Sequence, residues 1–274
     1  MRTTWTLALV TAASLTVGCT NAGHTTAPVG SSTITDASTS TSAERTTTTI
    51  AATTTTELAT TTTIPIAPWT RYPSAPVAPL RRNTIRGYSK INTTDPVVFL
   101  TIDDGFIRDP RVPELLAQHQ APATLFLIAG SLAKDPEYFR KFLDLGGSIN
   151  THTLQHAHLP GMTPEDQTFQ ICGMVSTIEA TYGSVGYFFR PPRGESDDNS
   201  LAAARSCGVR AMILWRVSVN DNQINTWGTR PIMPGDIILL HFLSSTYDSL
   251  VTLFAELDRL GLKVARLEDY LPAG

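Results

Sequence analysis

Short apolar runs recur along the last two-thirds of the chain, and segments of helical pattern separate them. Each run is shorter than a helix needs and is followed by polar residues or glycine, which is typical of buried strands in a parallel sheet. Strands that alternate with helices predict a parallel sheet, either open or closed into a barrel. The predicted strands cover residues 96–102, 124–128, 148–150, 188–189, 211–215, 237–240 and 263–265.

Helical spacing is clearest in residues 136–145, 164–182 and 249–260. The second segment has a strong start signal, because Thr163 can cap the helix and Pro164 suits its first position. We expect the buried face of this helix to carry the residues that recur at helical spacing, which are Phe169, Cys172, Val175, Ile178 and Tyr182.

The first residues have the pattern of an export signal. Arg2 precedes an apolar stretch, residues 5–17, that ends in small residues, and this predicts a secretory signal peptide over 1–19. Residues 15–19 also resemble a bacterial lipobox, in which Cys19 is lipidated and becomes the new N-terminus. Thr16 departs from that motif, and the alternative is that Cys19 is lost with an ordinary signal peptide. We therefore expect a bacterial protein that is exported, anchored by lipid on the outer face of the cell membrane or else secreted.

Residues 20–80 are rich in threonine and serine and then in proline. Such a composition offers too little apolar surface to offset the entropy of ordering, so we expect a disordered tether. The folded domain is expected over residues 81–274.

Composition narrows the function classes. A net charge of −3 over 274 residues lacks the excess of basic residues that is typical of nucleic-acid-binding proteins. The chain has no apolar run of about 18 residues or more, which excludes a multi-span membrane protein. Three cysteines are too few for a disulfide scaffold. Cys172 and Cys207 are interpreted as buried small hydrophobes, with a disulfide between them left open.

Carboxylates and histidines stand where predicted strands end. Asp103 and Asp104 follow the first strand, where two adjacent buried carboxylates need a balancing cation, although an ordinary loop with a capping Asp is the alternative. His152 and His156 have a spacing that can place both rings on one side of a helical turn, as one divalent metal requires. Together these residues predict a site with two histidines and one carboxylate.

Two further residues, Arg190 and His241, are candidates for the functional site because they also stand where predicted strands end. Arg190 lies in a loop that Pro191 and Pro192 stiffen, and it is well placed to hold a carboxylate through two hydrogen bonds. His241 ends a very apolar strand, where the alternative is a core histidine bonded to backbone.

These segments, in order, resemble the motifs of the NodB-homology polysaccharide deacetylases, carbohydrate esterase family 4. The resemblance covers about residues 95–272 and implies a single catalytic domain folded as a distorted (β/α) barrel of about seven parallel strands, with its chemistry at the strand C-termini. The matching segments are residues 101–105, 152–156, 190–194, 218–222 and 239–241.

The resemblance implies a metal site made of Asp104, His152 and His156, with open positions for water and substrate. Zinc is the expected ion, with cobalt or nickel as alternatives. The negatively charged oxygen of the tetrahedral intermediate would lie between this ion and the backbone N–H of residue 193, and both would stabilise it.

The remaining roles are likewise implied by the resemblance. Asp103 would be the general base, oriented by Arg190, and His241 the general acid, tuned by Asp221. Arg193 and Trp215 are assigned to substrate binding.

The chain departs from the family motifs at three positions. Arg193 replaces an aromatic residue, Ser218 replaces the first Asp of the fourth motif, and Asn222 replaces its Trp. Arg193 suits an anionic glycan, although a solvent-facing arginine is the alternative.

The expected function is metal-dependent hydrolysis of acetyl groups from N-acetylated amino sugars. The anchor and tether favour peptidoglycan, while chitin-like oligomers and acetylxylan are other substrates of the family. One alternative is a catalytically impaired glycan-binding protein of the cell envelope that keeps the fold. Another is a non-haem Fe(II) oxygenase, which also uses two histidines and one carboxylate.

Overall fold

The computed structural model describes residues 79–81 and 84–273. The expected signal peptide, the candidate lipidation site Cys19 and nearly all of the expected tether lie outside these residues, so those assignments stay predictions.

The described part of the chain forms one curled, largely parallel sheet. Its order is β1-β6-β5-β4-β3-β2-β9-β7-β8, and β10 pairs with β2. Every pairing between these described strands is parallel except the hairpin β7–β8. Within this order β1 and β8 are the two ends, so the sheet is a half-barrel. The strands are β1 Arg86–Tyr88, β2 Val97–Asp104, β3 Ala123–Leu127, β4 Ser148–Thr151, β5 Phe188–Phe189, β6 Ala211–Ile213, β7 Val217–Asn220, β8 Gln223–Thr226, β9 Ile237–His241 and β10 Lys263–Val264.

Helices pack against both faces of the sheet, Arg111–Gln118, Pro136–Asp144 and Thr246–Leu260 on one face and Leu267–Tyr270 on the other. All seven predicted strands and all three predicted helices are confirmed, whereas β1, the β7–β8 hairpin and the short helices Ala129–Lys134 and Leu267–Tyr270 carry no clear periodic signal in the sequence. None of the described helices has the length and apolar character needed to cross a bilayer. The helices are α1 Arg111–Gln118, α2 Ala129–Lys134, α3 Pro136–Asp144, α4 Pro164–Tyr182, α5 Asp198–Ser206, α6 Thr246–Leu260 and α7 Leu267–Tyr270.

The two faces of the sheet have different cores. On β2, Leu100 and Ile102 pack into the cluster that includes residues of α1, α3 and α6. Phe99 points to the opposite, inner face, where it packs with Phe126 and with Tyr270 from α7. Because side chains alternate along a strand, Thr101 and Asp103 follow Phe99 on that inner face. The inner face is therefore apolar at one end and polar where the strands finish.

Helix α4 begins and ends as predicted, but its buried face differs. The Thr163 side chain accepts the backbone N–H of Asp166 at 3.1 Å, and Gly183 closes the helix with φ 72°. Phe169, however, is 63% exposed. The polar side chains of Gln167 and Gln170 are buried instead, because each is hydrogen-bonded, to Asp197 and Gln155 respectively. Apolar periodicity alone does not detect buried polar residues that are paired.

Cys172 and Cys207 form a disulfide between α4 and the end of α5, with a Cα–Cα distance of 5.4 Å. Their interpretation as free, small hydrophobes is therefore wrong. The two cysteines are 35 residues apart in the sequence, so spacing alone did not reveal that the helices are adjacent.

The disulfide predicts a measurable stabilisation of the folded state. Replacing both cysteines with serine in the full chain should lower the free energy of unfolding by about 2–4 kcal/mol, because the cross-link no longer restricts the unfolded chain. Urea unfolding of the oxidised wild type and of the double variant measures this difference. Reductant should bring the wild type down to the variant and leave the variant unchanged. Equal unfolding midpoints of oxidised wild type and variant would contradict it.

Candidate active site

The C-terminal ends of β2, β4 and β9 meet at one edge of the sheet because these strands are parallel. β9 lies beside β2 with Asp103 opposite His241, and β4 is linked to β2 through β3. The loop that follows β5 reaches the same edge and carries Arg190. The tertiary structure thus brings together the four segments that the sequence marked at strand ends.

Arg190 is fully buried and holds Asp103. Its Nη1 donates to Asp103 Oδ1 at 2.7 Å and to Thr101 Oγ1 at 2.8 Å. Its Nε donates to the carbonyl oxygen of Ile213 at 2.9 Å, and its guanidinium lies 4.4 Å from the centroid of the Phe126 ring. The prediction that Arg190 holds a carboxylate through two hydrogen bonds is therefore wrong. Only one of its hydrogen bonds goes to Asp103, because its other N–H groups donate to backbone carbonyl oxygens and to a hydroxyl group.

The charge of Arg190 is maintained in this buried place. Burial lowers the pKa of Arg190, and the Asp103 carboxylate opposes that change. Since a guanidinium remains protonated in proteins, the interior holds one full positive charge beside one carboxylate. Only Asp103 Oδ1 is taken by Arg190. Asp103 Oδ2 lies 3.7 Å from His152 Nε2, so it faces the group of candidate metal ligands.

Asp104, His152 and His156 form a compact cluster of ligand atoms. Asp104 Oδ1 lies 3.6 Å from His152 Nε2 and 3.7 Å from His156 Nε2. The three potential ligand atoms all lie within 4.8 Å of one another. Asp104 Oδ1 is buried and has no hydrogen-bond partner. A buried carboxylate oxygen of this kind needs a cation or a donor, and the cluster offers the space for one ion.

His152 is held in the form that binds a metal. Its Nδ1 lies 2.7 Å from the carbonyl oxygen of Arg190, so Nδ1–H donates there and the lone pair of Nε2 faces the cluster. Burial lowers the pKa of His152, although Asp103 and Asp104 oppose this, and the neutral ring is the ligating form.

Burial raises the pKa of the Asp104 carboxyl above its usual value, although the neighbouring histidines oppose this rise. A cation would offset the desolvation. Two imidazole nitrogens and one carboxylate oxygen are a donor set that suits zinc and similar divalent ions, so the residues fit the expected metal.

The His-x3-His segment is a loop and not the helical turn that its spacing suggested. Residues 152–158 lie outside helices, and Thr153 and His156 have φ values of 73° and 57°. These left-handed residues turn the chain so that the two rings approach, with centroids 5.0 Å apart.

Left-handed backbone is concentrated in the loops around the site. Among the described residues, seven other than glycine have positive φ, and only Gln120 lies elsewhere. Such conformations cost free energy, and they cluster where a site needs an unusual chain path. The other six are Asp104, Thr153, His156, Arg193, Asp221 and Asn222.

His241 contacts a different residue from the one that the resemblance implied. Its Nδ1 lies 3.2 Å from Asn220 Oδ1. Asp221 instead accepts a hydrogen bond from Ser245 Oγ at 2.9 Å. The structure thus places Asp221 in the turn of the β7–β8 hairpin and places Asn220 against the ring. Alternation along β7, with Val217 and Val219 buried, was the available signal for Asn220.

Arg193 and Trp215 border the site. Arg193 is exposed and follows Pro192 in a single turn of 3₁₀ helix, Pro192–Gly194. Trp215 is half-buried, and its ring centroid lies 5.6 Å from the Arg190 guanidinium carbon. A methyl group added at Gly194 would lie 3.2 Å from the Trp215 ring, so this glycine lets the Arg193 loop approach the tryptophan.

Comparison with known proteins gives consistent matches. The family model for polysaccharide deacetylase matches residues 90–212. An uncharacterized protein of Streptomyces coelicolor is 36% identical over 190 residues, 66% of this chain and 75% of that protein. A chitooligosaccharide deacetylase of Sinorhizobium fredii is 30% identical over 57% of this chain and 77% of that protein. A peptidoglycan-N-acetylglucosamine deacetylase of Bacillus cereus is 25% identical over 66% of this chain and 91% of that protein.

A similar solved structure is a mutant of a carbohydrate esterase family 4 pseudoenzyme of Bacillus anthracis, a mutant with restored enzymatic activity. The similarity has a TM-score of 0.59 at 25% identity and covers 67% of this chain and 70% of that one. A pseudoenzyme therefore occurs on a similar fold.

The buried ion pair between Arg190 and Asp103 predicts that replacing Arg190 strongly destabilises the folded state. Arg190→Met should lower the free energy of unfolding by about 3–5 kcal/mol, because Asp103 is left buried without its partner. The exposed Arg193→Met should change it by no more than about 0.5 kcal/mol. Urea unfolding of both variants measures the difference, and equal effects would show that the ion pair is not what stabilises this edge.

The ligand cluster predicts one divalent ion per chain. After chelation, the full-length protein should bind one Zn²⁺, and His156→Ala should weaken binding by more than about 100-fold, since loss of an outer partner alone costs ~10–100-fold. His158→Ala is the matched control, because His158 pairs with Glu195 at 2.7 Å and lies outside the cluster. Titration calorimetry measures both. Unchanged affinity in His156→Ala would place the ion elsewhere.

Proposed function

The chain belongs to the polysaccharide deacetylase family, and on that premise we propose that it removes acetyl groups from N-acetylated amino sugars of a cell-wall polysaccharide. The observation that carries this proposal is the placement of one carboxylate and one imidazole on paired strand positions, Asp103 and His241, beside the Asp104–His152–His156 cluster.

Asp103 is the general base in this proposal. Arg190 takes Oδ1, while Oδ2 faces the cluster and accepts a proton from the attacking water. The hydrogen bond from Arg190 fixes the orientation of the carboxylate, and a general base must be positioned in this way.

Asp104, His152 and His156 would hold the divalent ion, and zinc is the ion we propose. When bound, the ion supplies positive charge that polarises the acyl carbonyl and acidifies the attacking water. The backbone N–H of Arg193 is the proposed second donor to the oxyanion, because its turn, Pro192–Gly194, follows the arginine that holds the base.

His241 is the general acid. It gives a proton to the sugar nitrogen as the carbon–nitrogen bond breaks, so that the amine departs neutral and acetate is the other product. Asp103 and His241 thus divide the base and acid steps between two paired strands.

Peptidoglycan is the substrate that we propose first. The Bacillus cereus relative is named for N-acetylglucosamine in peptidoglycan, and the Sinorhizobium fredii relative for chitooligosaccharides. Arg193, exposed beside Trp215, suits the carboxylates that peptidoglycan carries. Chitin-like oligomers and acetylxylan are the other polymers to compare.

Export and anchoring complete the proposal. The expected signal peptide, Cys19 and the tether would hold the domain outside the membrane and within reach of the wall. The disulfide between Cys172 and Cys207 supports an oxidising location, since such bonds are rare inside most cells.

A glycan-binding protein without activity is the second candidate. It is favoured by Ser218 and Asn222, which replace family residues, and by the pseudoenzyme of similar fold. Against it stand Asp103, His241 and the complete ligand cluster. The oxygenase alternative leaves the Arg190–Asp103 pair without a role.

Acetate release tests the proposal. Full-length protein is stripped of metal, reloaded with Zn²⁺ and incubated with acetylated peptidoglycan, chitin oligomers and acetylxylan. Asp103→Asn should lower the rate by about 10²–10⁴-fold, the usual contribution of a general base, while still binding one Zn²⁺. Absence of acetate from all three polymers, with zinc bound, would favour the binding protein.

A further inference from the structure

The side chain that contacts His241 comes from the last residue of β7. β7 runs parallel to β9 with Ser218 opposite Leu239, and two residues further along both strands bring Asn220 beside His241. The contact between Asn220 Oδ1 and His241 Nδ1 is 3.2 Å. It is a contact between neighbouring strands, so the sheet itself sets its geometry.

The hairpin turn keeps Asp221 away from this position. Asp221 and Asn222 are the two residues between β7 and β8, with φ values of 49° and 62°. Two-residue turns with positive φ at both positions favour Asp and Asn for their backbone. The turn is also tied to α6, because Ser245 Oγ donates to the Asp221 carboxylate and the N–H of Asn222 donates to Ser249 Oγ at 3.1 Å.

The backbone of His241 is held separately from its ring. Thr246 Oγ1 donates to the carbonyl oxygen of His241 at 2.8 Å, and the N–H of Leu243 donates to Thr246 Oγ1 at 2.7 Å. These bonds fix the chain at the end of β9 but leave the rotation of the imidazole to its Nδ1 partner.

An amide oxygen can orient this ring without adding charge. When Nδ1–H donates to Asn220, Nε2 points away from β7, and the second proton of the protonated ring is held on Nε2. A carboxylate would orient the ring in the same way and would add a negative charge, which this chain lacks at that contact.

We propose that Asn220 is the positioning residue that aims Nε2 of His241 at the departing amine, and that Asp221 serves the hairpin turn. This inference rests on the proposed function. In the step concerned, the Nε2 proton moves to the sugar nitrogen as the carbon–nitrogen bond breaks. The ring is left neutral with Nδ1–H on Asn220. Before the next turnover Asp103 releases to solvent the proton that it took from the attacking water, and His241 takes up one proton from solvent.

The test uses two substrates that differ in the need for an acid. An N-acetylated glycan releases an amine that must be protonated, whereas 4-nitrophenyl acetate releases a phenolate that leaves unaided. Asn220→Leu should lower kcat on the glycan by about tenfold or more, a part of the usual contribution of a general acid. The KM and the rate on 4-nitrophenyl acetate should stay within about twofold, because neither depends on the acid.

Three further variants sharpen the result. Asn220→Asp keeps an acceptor oxygen and should therefore retain most of the wild-type kcat on the glycan, unlike Asn220→Leu. Asn225→Leu is the matched control, because Asn225 lies exposed on the same hairpin. Asp221→Asn tests the rival assignment. Loss confined to the glycan in Asp221→Asn, or an equal loss on both substrates in Asn220→Leu, would overturn the inference.

A spectroscopic measurement separates this inference from the proposed function. With ¹⁵N-labelled histidine, the neutral ring of His241 should carry its proton on Nδ1, identified by the loss of that signal in His241→Gln. Asn220→Leu should remove this preference. A wild type that shows the Nδ1–H form but releases no acetate would overturn the proposed function, and with it the role in proton transfer, while the orientation of the ring by Asn220 would stand. A wild type that releases acetate without that preference would overturn the inference alone.

Discussion

The buried pair of Arg190 and Asp103 is the interaction on which the rest of the site depends. The guanidinium crosses the inside of the half-barrel and binds β2 through Asp103 and Thr101 and β6 through the carbonyl of Ile213. The backbone oxygen of the same arginine accepts the Nδ1–H of His152. One residue therefore fixes the proposed base and orients a candidate metal ligand. A charge this deeply buried is tolerated only when every donor finds a partner, which ties the stability of this edge to the geometry of the site.

A second constraint is that adjacent residues on a strand point to opposite faces. Asp103 points to the inner face in the ordinary way. Asp104 would then point outward, but its φ of 73° turns the chain, so that both carboxylates reach the same cluster. Gly105 follows at φ 86°, where a Cβ would lie 2.8 Å from the Phe139 ring. The Asp-Asp-Gly sequence thus places the proposed base and a candidate metal ligand side by side. The packing of the surrounding sheet offsets the cost of the left-handed backbone at Asp104.

The substitutions in the fourth motif take on a different meaning once the hairpin is known. Asp221 and Asn222 have the conformations that a tight two-residue turn needs, and Ser218 stands two residues before the side chain that reaches His241. The site retains a polar partner for the ring, but that partner is a neutral amide. Differences from family motifs need not indicate loss of function when a neighbouring residue makes the contact. A mutant of the similar pseudoenzyme has restored enzymatic activity.

Sequence alone determined the features that depend on local chemistry. Hydrophobic periodicity identified β2, β3 and β9, the capping residues located the start of α4, and the polar strand ends, read with the family resemblance, identified Asp103, Asp104, His152, His156, Arg190 and His241. Only the tertiary structure decided which side chains meet: Asn220 with His241, Cys172 with Cys207, and Gln167 in place of Phe169 on the buried face of α4. Periodicity reports whether a position is buried or exposed on its own element. The contacts of a side chain with a distant element depend on strand register and helix packing, which arise only when the whole sheet has formed.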